Sequence, residues 1–292
     1  MDITIIGAGG AIGREIAQSI ISEQLLRHDQ TLTLVGNPEG QSGRSLYGFA
    51  VDLMDAYAEI VPKVKIVFSP DEIRGDLIVM AGGSTLNSEN SISRDSVSHI
   101  NFPIFQTYAQ AIYQNGHGHE IVICISNPNE LAVATFAHYL GRKRVIGMGA
   151  FLDSLRFRQE IAHDLGIRRQ RIHGFMVGEH GVNMVPLWSS VHIYGFSELE
   201  LNDAIHQIRK GYQTSEFPEI VRTIIDELKD MVFKGYVKEA YEKISQYPPD
   251  IRVAVKPFVT HFSGSKTVMG TARSAMDLIR TITMGNDSLI SG

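Results

Sequence analysis

The stretch ITIIGAGGAIGREIAQSI, residues 3–20, decides the fold. Ile3 to Ile6, three isoleucines and a threonine, read as a short strand covered on both faces, and Ile12 to Leu26 carries the spacing of an amphipathic helix. From the end of the strand into the first turn of that helix run Gly7, Gly10 and Gly13, three glycines at intervals of three. In a strand-turn-helix context each has a distinct physical role: Gly7 permits the tight turn, Gly10 lets backbone N–H groups approach a pyrophosphate, and Gly13 lets helix and strand pack closely. The helix N-terminus then faces the anion. A purely structural turn without a ligand is the competing reading, and the context weighs against it.

Working outward, the same alternation of short apolar runs and amphipathic stretches recurs through the first half. Leu32 to Val35, Leu77 to Met80, Ile121 to Ile125 and the short pair Val145 and Ile146 read as further strands of a parallel sheet. After Phe151 the character changes. Arg156 to Leu165 reads as helix, Ile172 to Val177 and Leu187 to Tyr194 as extended, and Leu199 to Arg209 and Ile220 to Ile244 as helix. The expectation is an α/β protein: a doubly wound dinucleotide-binding domain over residues 1–150, then a mixed α/β catalytic domain over 151–292. Tyr247 to Pro257, with three prolines, reads as an irregular connection.

At 292 residues, with 43% hydrophobic and 20% charged, the chain is long enough for two modest cores. A net charge of −5 offers no broad basic field, so nucleic acid is not an expected partner and a small molecule is. The single cysteine, Cys124, lies inside an apolar run and reads as a buried thiol, which suits a reducing cytoplasm. With no cationic leader and no run of roughly 18 apolar residues, neither secretion nor membrane spanning is expected.

The end of the second strand, TLTLV, runs into Gly36 and Asn37, where dinucleotide folds usually carry an Asp or Glu for the adenosine ribose. No carboxylate repels a 2′-phosphate there, and Arg44 follows in GQSGRS. Two readings stand. Either Asn37 and Arg44 donate to a 2′-phosphate, a modest lean to NADP over NAD, or Asn37 bonds a ribose hydroxyl and Arg44 is a solvated charge.

Among eleven histidines, His180 stands out because VGEHGVN sets it between two glycines in a turn joining two extended segments. In GAFLDSLRFR, Asp153 and Arg156 are three apart and share one face of a helix. A carboxylate can orient an imidazole for proton transfer, and a guanidinium can grip a substrate carboxylate bidentately. Taken alone, Asp153 and Arg156 also fit an ordinary intrahelical ion pair.

The turn GAGGAIG, the triplet Ser126, Asn127 and Pro128, the segment LDSLRFR and the turn GEHG occur in the order and approximate spacing of the malate/lactate dehydrogenase family, which the chain resembles over residues 1 to about 195 and again near Thr267. The glycine turn is of the malate dehydrogenase type. The resemblance implies a Rossmann-type fold, with an active site in the crevice between the domains, and reversible oxidation of a small 2-hydroxy acid to a 2-oxo acid with NAD or NADP and no metal. It implies that His180 exchanges the hydroxyl proton, that Asp153 holds its imidazole, and that Arg156 binds the substrate carboxylate. Asn127 then sits beside nicotinamide and substrate, Thr267 is the small hydroxyl residue near the substrate, and Arg94 is the later loop arginine that polarises the carbonyl. The family's members also imply a homodimer or homotetramer. The sequence adds an apolar helical face near Leu53 to Val61, which equally suits a core.

Three departures bear on this. The loop GGSTLNSENSISR has no early arginine between Ser84 and Ser88 for a second carboxylate. Val182 follows GEHG where the family usually has an acidic residue, and a long helical stretch separates Trp188 from Thr267, with the family's closing strands and final helix expected to be absent after Asp277. Two alternatives therefore remain: a dinucleotide-binding paralogue with impaired catalysis, and, more weakly, an NAD-dependent glycosidase, for which Cys124 inside a strand is poorly positioned.

Overall fold

The computed structural model describes residues 1–84 and 94–291, apart from the side chains at 41, 42, 94 and 95. In chain order the elements are β1 (Ile3–Ile6), α1 (Ala11–Ser22), β2 (Thr31–Val35), α2 (Gln41–Arg44), α3 (Leu46–Ala56), β3 (Lys63–Val67), β4 (Leu77–Met80), α4 (Arg94–Asn115), β5 (Ile121–Cys124), α5 (Asn129–Leu140) and β6 (Val145–Gly147). They continue as α6 (Gly149–Leu165), β7 (Ile172–Gly178), β8 (Met184–Ile193), α7 (Glu198–Arg209), α8 (Phe217–Phe233), α9 (Val237–Ile244), α10 (Pro249–Phe262) and α11 (Val268–Met284).

Two compact units result: Met1–Met148 with Val268–Ser288, and Gly149–Thr267 with Leu289–Gly292. Division at 150 in sequence order assigns everything after it to the second unit, whereas α11 packs along α1 of the first. Arg273 and Arg280 of α11 both pair with Glu23, just past the end of α1, at 2.7 and 2.8 Å.

The first unit is an all-parallel six-stranded sheet in the order β3-β2-β1-β4-β5-β6. Ile3, Ile5, Leu32, Leu34, Leu77, Val79, Val122 and Ile123 are fully enclosed, the fate of strands covered on both faces. The order reverses between β1 and β4, the position where open α/β sheets leave a crevice beyond the strand ends. The edge strand β3 escapes the apolar-run criterion because its sequence KVKIV alternates lysine with valine. Burial pushes the Cys124 thiol up to about 12, which makes it an inert core residue.

In the second unit α6 packs against β7 and α7 against β8 of the antiparallel pair, while α10 packs on α6 and α8, with α9 beside α8 and α10. The helical stretch after Trp188 carries core: Phe217, Val221, Ile224 and Leu228 join Phe157, Met176 and Trp188 in one apolar cluster. The segment Ile220 to Ile244 is two helices, because Gly235 at φ 88° breaks the run. Tyr247 to Pro257 is not irregular; Pro249 occupies the first turn of α10 and Pro257 lies within it, with Val253, Val255 and Val259 fully buried. Tertiary burial outweighs the helix-breaking tendency of the interior proline. The buried Asp250 accepts from Trp188 Nε1 at 2.9 Å, and burial raises its carboxyl above the usual range despite that bond.

The helical face expected over Leu53 to Val61 belongs instead to α3, which ends at Ala56 and buries Leu46, Ala50 and Leu53. Among the described residues no helix is long and apolar enough to cross a membrane.

Candidate active site

In the first unit the glycine turn is shaped by close approach. A Cβ on Gly7, whose φ is 84°, would lie 2.5 Å from Gly82 Cα, and one on Gly13 would lie 2.4 Å from Gly7 O. The fold itself demands both glycines. Gly10 differs: its nearest neighbour would be Gly7 O at 3.4 Å, an ordinary contact, and it stands exposed at the N-cap of α1. Among the described residues no contact requires a glycine there, and a bare backbone at a helix N-terminus is a place that fits a dinucleotide pyrophosphate.

Beside this turn, Gly36 follows β2 without a carboxylate, and Asn37 Oδ1 accepts the Glu39 N–H at 3.1 Å in an Asx turn. Arg44 is exposed at the end of α2. Sequence reasoning missed Arg14. Its Nε donates to Gly9 O at 3.0 Å, its Nη2 to Ser45 Oγ at 2.5 Å, and its Cζ lies 4.6 Å from the Phe49 ring centroid, so a cation is held against the glycine turn.

A second missed residue is Asn101, fully buried on α4. Its Oδ1 accepts Ser84 N–H at 2.7 Å, and its Nδ2 donates to Ser84 O at 2.9 Å and Asn127 O at 2.6 Å. One amide thereby ties the exit of β4 to the Ser126–Pro128 turn, where Ser126 Oγ also donates to Gly82 O at 2.5 Å. Nothing in the local pattern of α4 singles this asparagine out. Arg94 begins α4, and its side chain lies outside the described residues, as do Thr85 to Ser93 of the loop.

In the second unit Asp153, Arg156 and His180 come together. Asp153 is 4% exposed on α6 and uses its oxygens separately: Oδ2 meets His180 Nδ1 at 2.9 Å and Oδ1 accepts from Arg156 Nη1 at 2.9 Å. The helix and the turn are held in register by Ser154, whose Oγ accepts Met176 N–H at 2.9 Å and donates to Ala150 O at 2.8 Å. The turn itself needs Gly178, at φ 85°, where a Cβ would lie 2.4 Å from Asn183 O. His180 Nε2 is sealed from solvent and has no hydrogen-bond partner among the described residues. With Nδ1 against a carboxylate, Nε2 is the nitrogen left to exchange a proton. Thr267 stands exposed immediately before α11. Among the described residues no group of three or more His, Cys, Asp or Glu is set to hold a metal ion.

Residues 1–147 match the family described as lactate/malate dehydrogenase, NAD binding domain. The chain belongs to the lactate/malate dehydrogenase family. A malate dehydrogenase of Chloroherpeton thalassium is 32% identical over 223 residues, 72% of this chain and 68% of that protein. An L-lactate dehydrogenase of Zea mays is 29% identical over 245 residues, 82% of this chain but 65% of the maize protein. The chain thus spans slightly less than two thirds of that lactate/malate dehydrogenase relative. The crystal structure of a Cryptosporidium parvum malate dehydrogenase superposes with a TM-score of 0.70 at 23% identity, covering 99% of this chain and 80% of that one, a likeness of fold.

Proposed function

We propose that this member of the family catalyses reversible oxidation of a small 2-hydroxy acid to its 2-oxo acid with a nicotinamide dinucleotide. The observation that carries the proposal is the Asp153–His180 pair, a buried carboxylate on one imidazole nitrogen with the other nitrogen sealed from solvent and without a hydrogen-bond partner among the described residues. Gly7, Gly10 and Gly13 at the α1 N-terminus, with Asn127, would hold the dinucleotide, which would supply the hydride acceptor when bound. The chain's own residues do the rest. His180 Nε2 takes the hydroxyl proton, and Asp153 fixes the ring and stabilises its protonated form. Arg156 forks onto the substrate carboxylate, a geometry lysine cannot supply. In the reverse direction protonated His180 is the acid. Arg94 is assigned the substrate carbonyl and Thr267 the substrate's surroundings, on the family resemblance alone.

The loop after β4 offers no early arginine, so monocarboxylic 2-oxo acids are the favoured substrates. Gly36, Arg14 and Arg44 together favour acceptance of NADP(H) as well as NAD(H). Tyr47, Val51 and Met54 are 62%, 52% and 41% exposed along one face of α3, which supports self-association into a homodimer or homotetramer. The test is steady-state oxidation of NADH and of NADPH against a panel of 2-oxo acids. Turnover of pyruvate-like monocarboxylates is the expected result. Cofactor binding without turnover of any of them overturns the catalytic assignment in favour of a binding paralogue, and a preference for oxaloacetate above about 100-fold in kcat/KM overturns the reading of the loop.

A further inference from the structure

His180 has a second neighbour that its partnership with Asp153 does not explain. The Phe258 ring, on α10, lies face to face with the imidazole, centroids 5.5 Å apart and planes 22° from parallel. The residue after the histidine is Gly181, at φ 107°, and a Cβ there would come within 3.1 Å of Phe258 Cζ and 3.4 Å of Cε2. The phenyl ring therefore occupies space that only a glycine at 181 leaves open. Phe258 is itself braced. Val255 and Val259 beside it are fully buried, and Phe262, one turn on, lies 6.3 Å from it and 6.1 Å from Phe233 of α8.

The geometry points to Phe258 as a positioning residue for the proton-transfer histidine, an inference that rests on the proposed role of His180. A hydrogen bond at Nδ1 fixes one atom of the imidazole and leaves the ring free to swing about that contact. A flat wall parallel to the ring removes this second freedom and holds Nε2 in one direction. The wall also keeps water from one face of the ring, and its π-electrons attract the ring more strongly when it is protonated. An aliphatic side chain of similar size fills the space without offering a plane. Flatness, rather than volume, is the property the inference requires.

The experiment compares Phe258→Leu, Phe258→Met and Phe258→Tyr in the full chain. The readouts are kcat and KM for the best 2-oxo acid, melting temperature, and the imidazole N–H proton signal of His180 in histidine-labelled protein, assigned by its loss in His180→Asn. The two aliphatic variants are expected to fold, to lose about tenfold in kcat with KM changed less than about twofold, and to show a His180 N–H signal broadened by exchange. The tyrosine variant, which restores the flat ring, is expected to recover most of kcat and the sharp signal. Should Phe258→Leu keep a sharp His180 signal, the inference is overturned whether or not its rate falls. Should Phe258→Tyr fail to recover the signal, it is overturned as well. The N–H signal is read without turnover, so a protein that reduces no 2-oxo acid sinks the proposed function and still decides the role of Phe258.

Discussion

Replacing Asp153 with asparagine exchanges one carboxylate oxygen for an NH₂ group and should disable two functions unequally. The carboxylate now meets His180 Nδ1 and Arg156 Nη1 through different oxygens, each at 2.9 Å. An amide has one acceptor oxygen and one NH₂ donor, so only one of the two partners keeps its bond. If the oxygen stays with Arg156, the amide nitrogen faces Nδ1, favours the tautomer with the proton on Nε2, and removes the base from the reacting side. Charge-assisted hydrogen bonds are worth about 1.5–3 kcal/mol each, and at 4% exposure water does not replace what is lost at Asp153. General acid–base catalysis typically contributes about 10²- to 10⁴-fold, or about 2.7–5.4 kcal/mol. The expected result is a kcat lowered by about 10²-fold or more, with KM raised less than about tenfold because Arg156 keeps its charge. The assay is reduction of the best 2-oxo acid, followed by loss of reduced nicotinamide, for Asp153→Asn, His180→Asn and the double variant. Residues acting as one unit give strongly non-additive losses. Retention of more than about a tenth of wild-type kcat in Asp153→Asn, or full additivity in the double variant, refutes the pair as a proton-transfer unit.

Arg44→Ala should weaken NADPH binding by about tenfold at low ionic strength while leaving NADH nearly unchanged, measured as Kd for both cofactors; equal effects on both would remove Arg44 from the 2′-phosphate reading. Gly36→Asp is a poorer probe, since a Cβ there would come within 2.9 Å of the buried Leu46 Cδ2. Cys124, with its thiol pushed up to about 12 by burial, should resist alkylation at pH 8 until the protein unfolds, and rapid labelling under native conditions would contradict its enclosure. Asp250 binds its proton more tightly folded than unfolded, so from its ordinary value of 3.8 up to the raised one the stability should fall as pH rises, with a slope of at most about 1.4 kcal/mol per pH step of one. Asp250→Asn should flatten that segment of the urea-midpoint profile; an unchanged slope means the carboxyl is not the titrating group.

What could be read beforehand follows from where the determining contacts lie. The turn from β1 to α1 keeps its glycines at a fixed spacing between a strand and a helix, so glycines, strand and helix were all legible, although the close approach that demands Gly7 comes from Gly82, far along the chain. The edge strand β3 was not, because lysines at alternate positions mask a strand that pairs on one side only. Nor was α10, whose prolines signal a loop locally while its buried valines act through packing. The site divides the same way. Asp153 and Arg156 are three apart and were visible as a pair, whereas the contact with His180 spans 27 residues and was legible only through family resemblance. Asn101, Arg14 and Phe258 act through contacts that no local pattern announces.

The amide of Asn101 has a consequence for how this chain can diverge. Because it clamps both Ser84 and the Asn127 carbonyl, the β4 exit and the Ser126–Pro128 turn take their spacing from a single side chain of α4. Insertions, deletions and new side chains between residues 85 and 93 can accumulate without dragging the strand ends along. Sequence changes in that loop are then expected to leave the spacing of the two strand-end turns as it is.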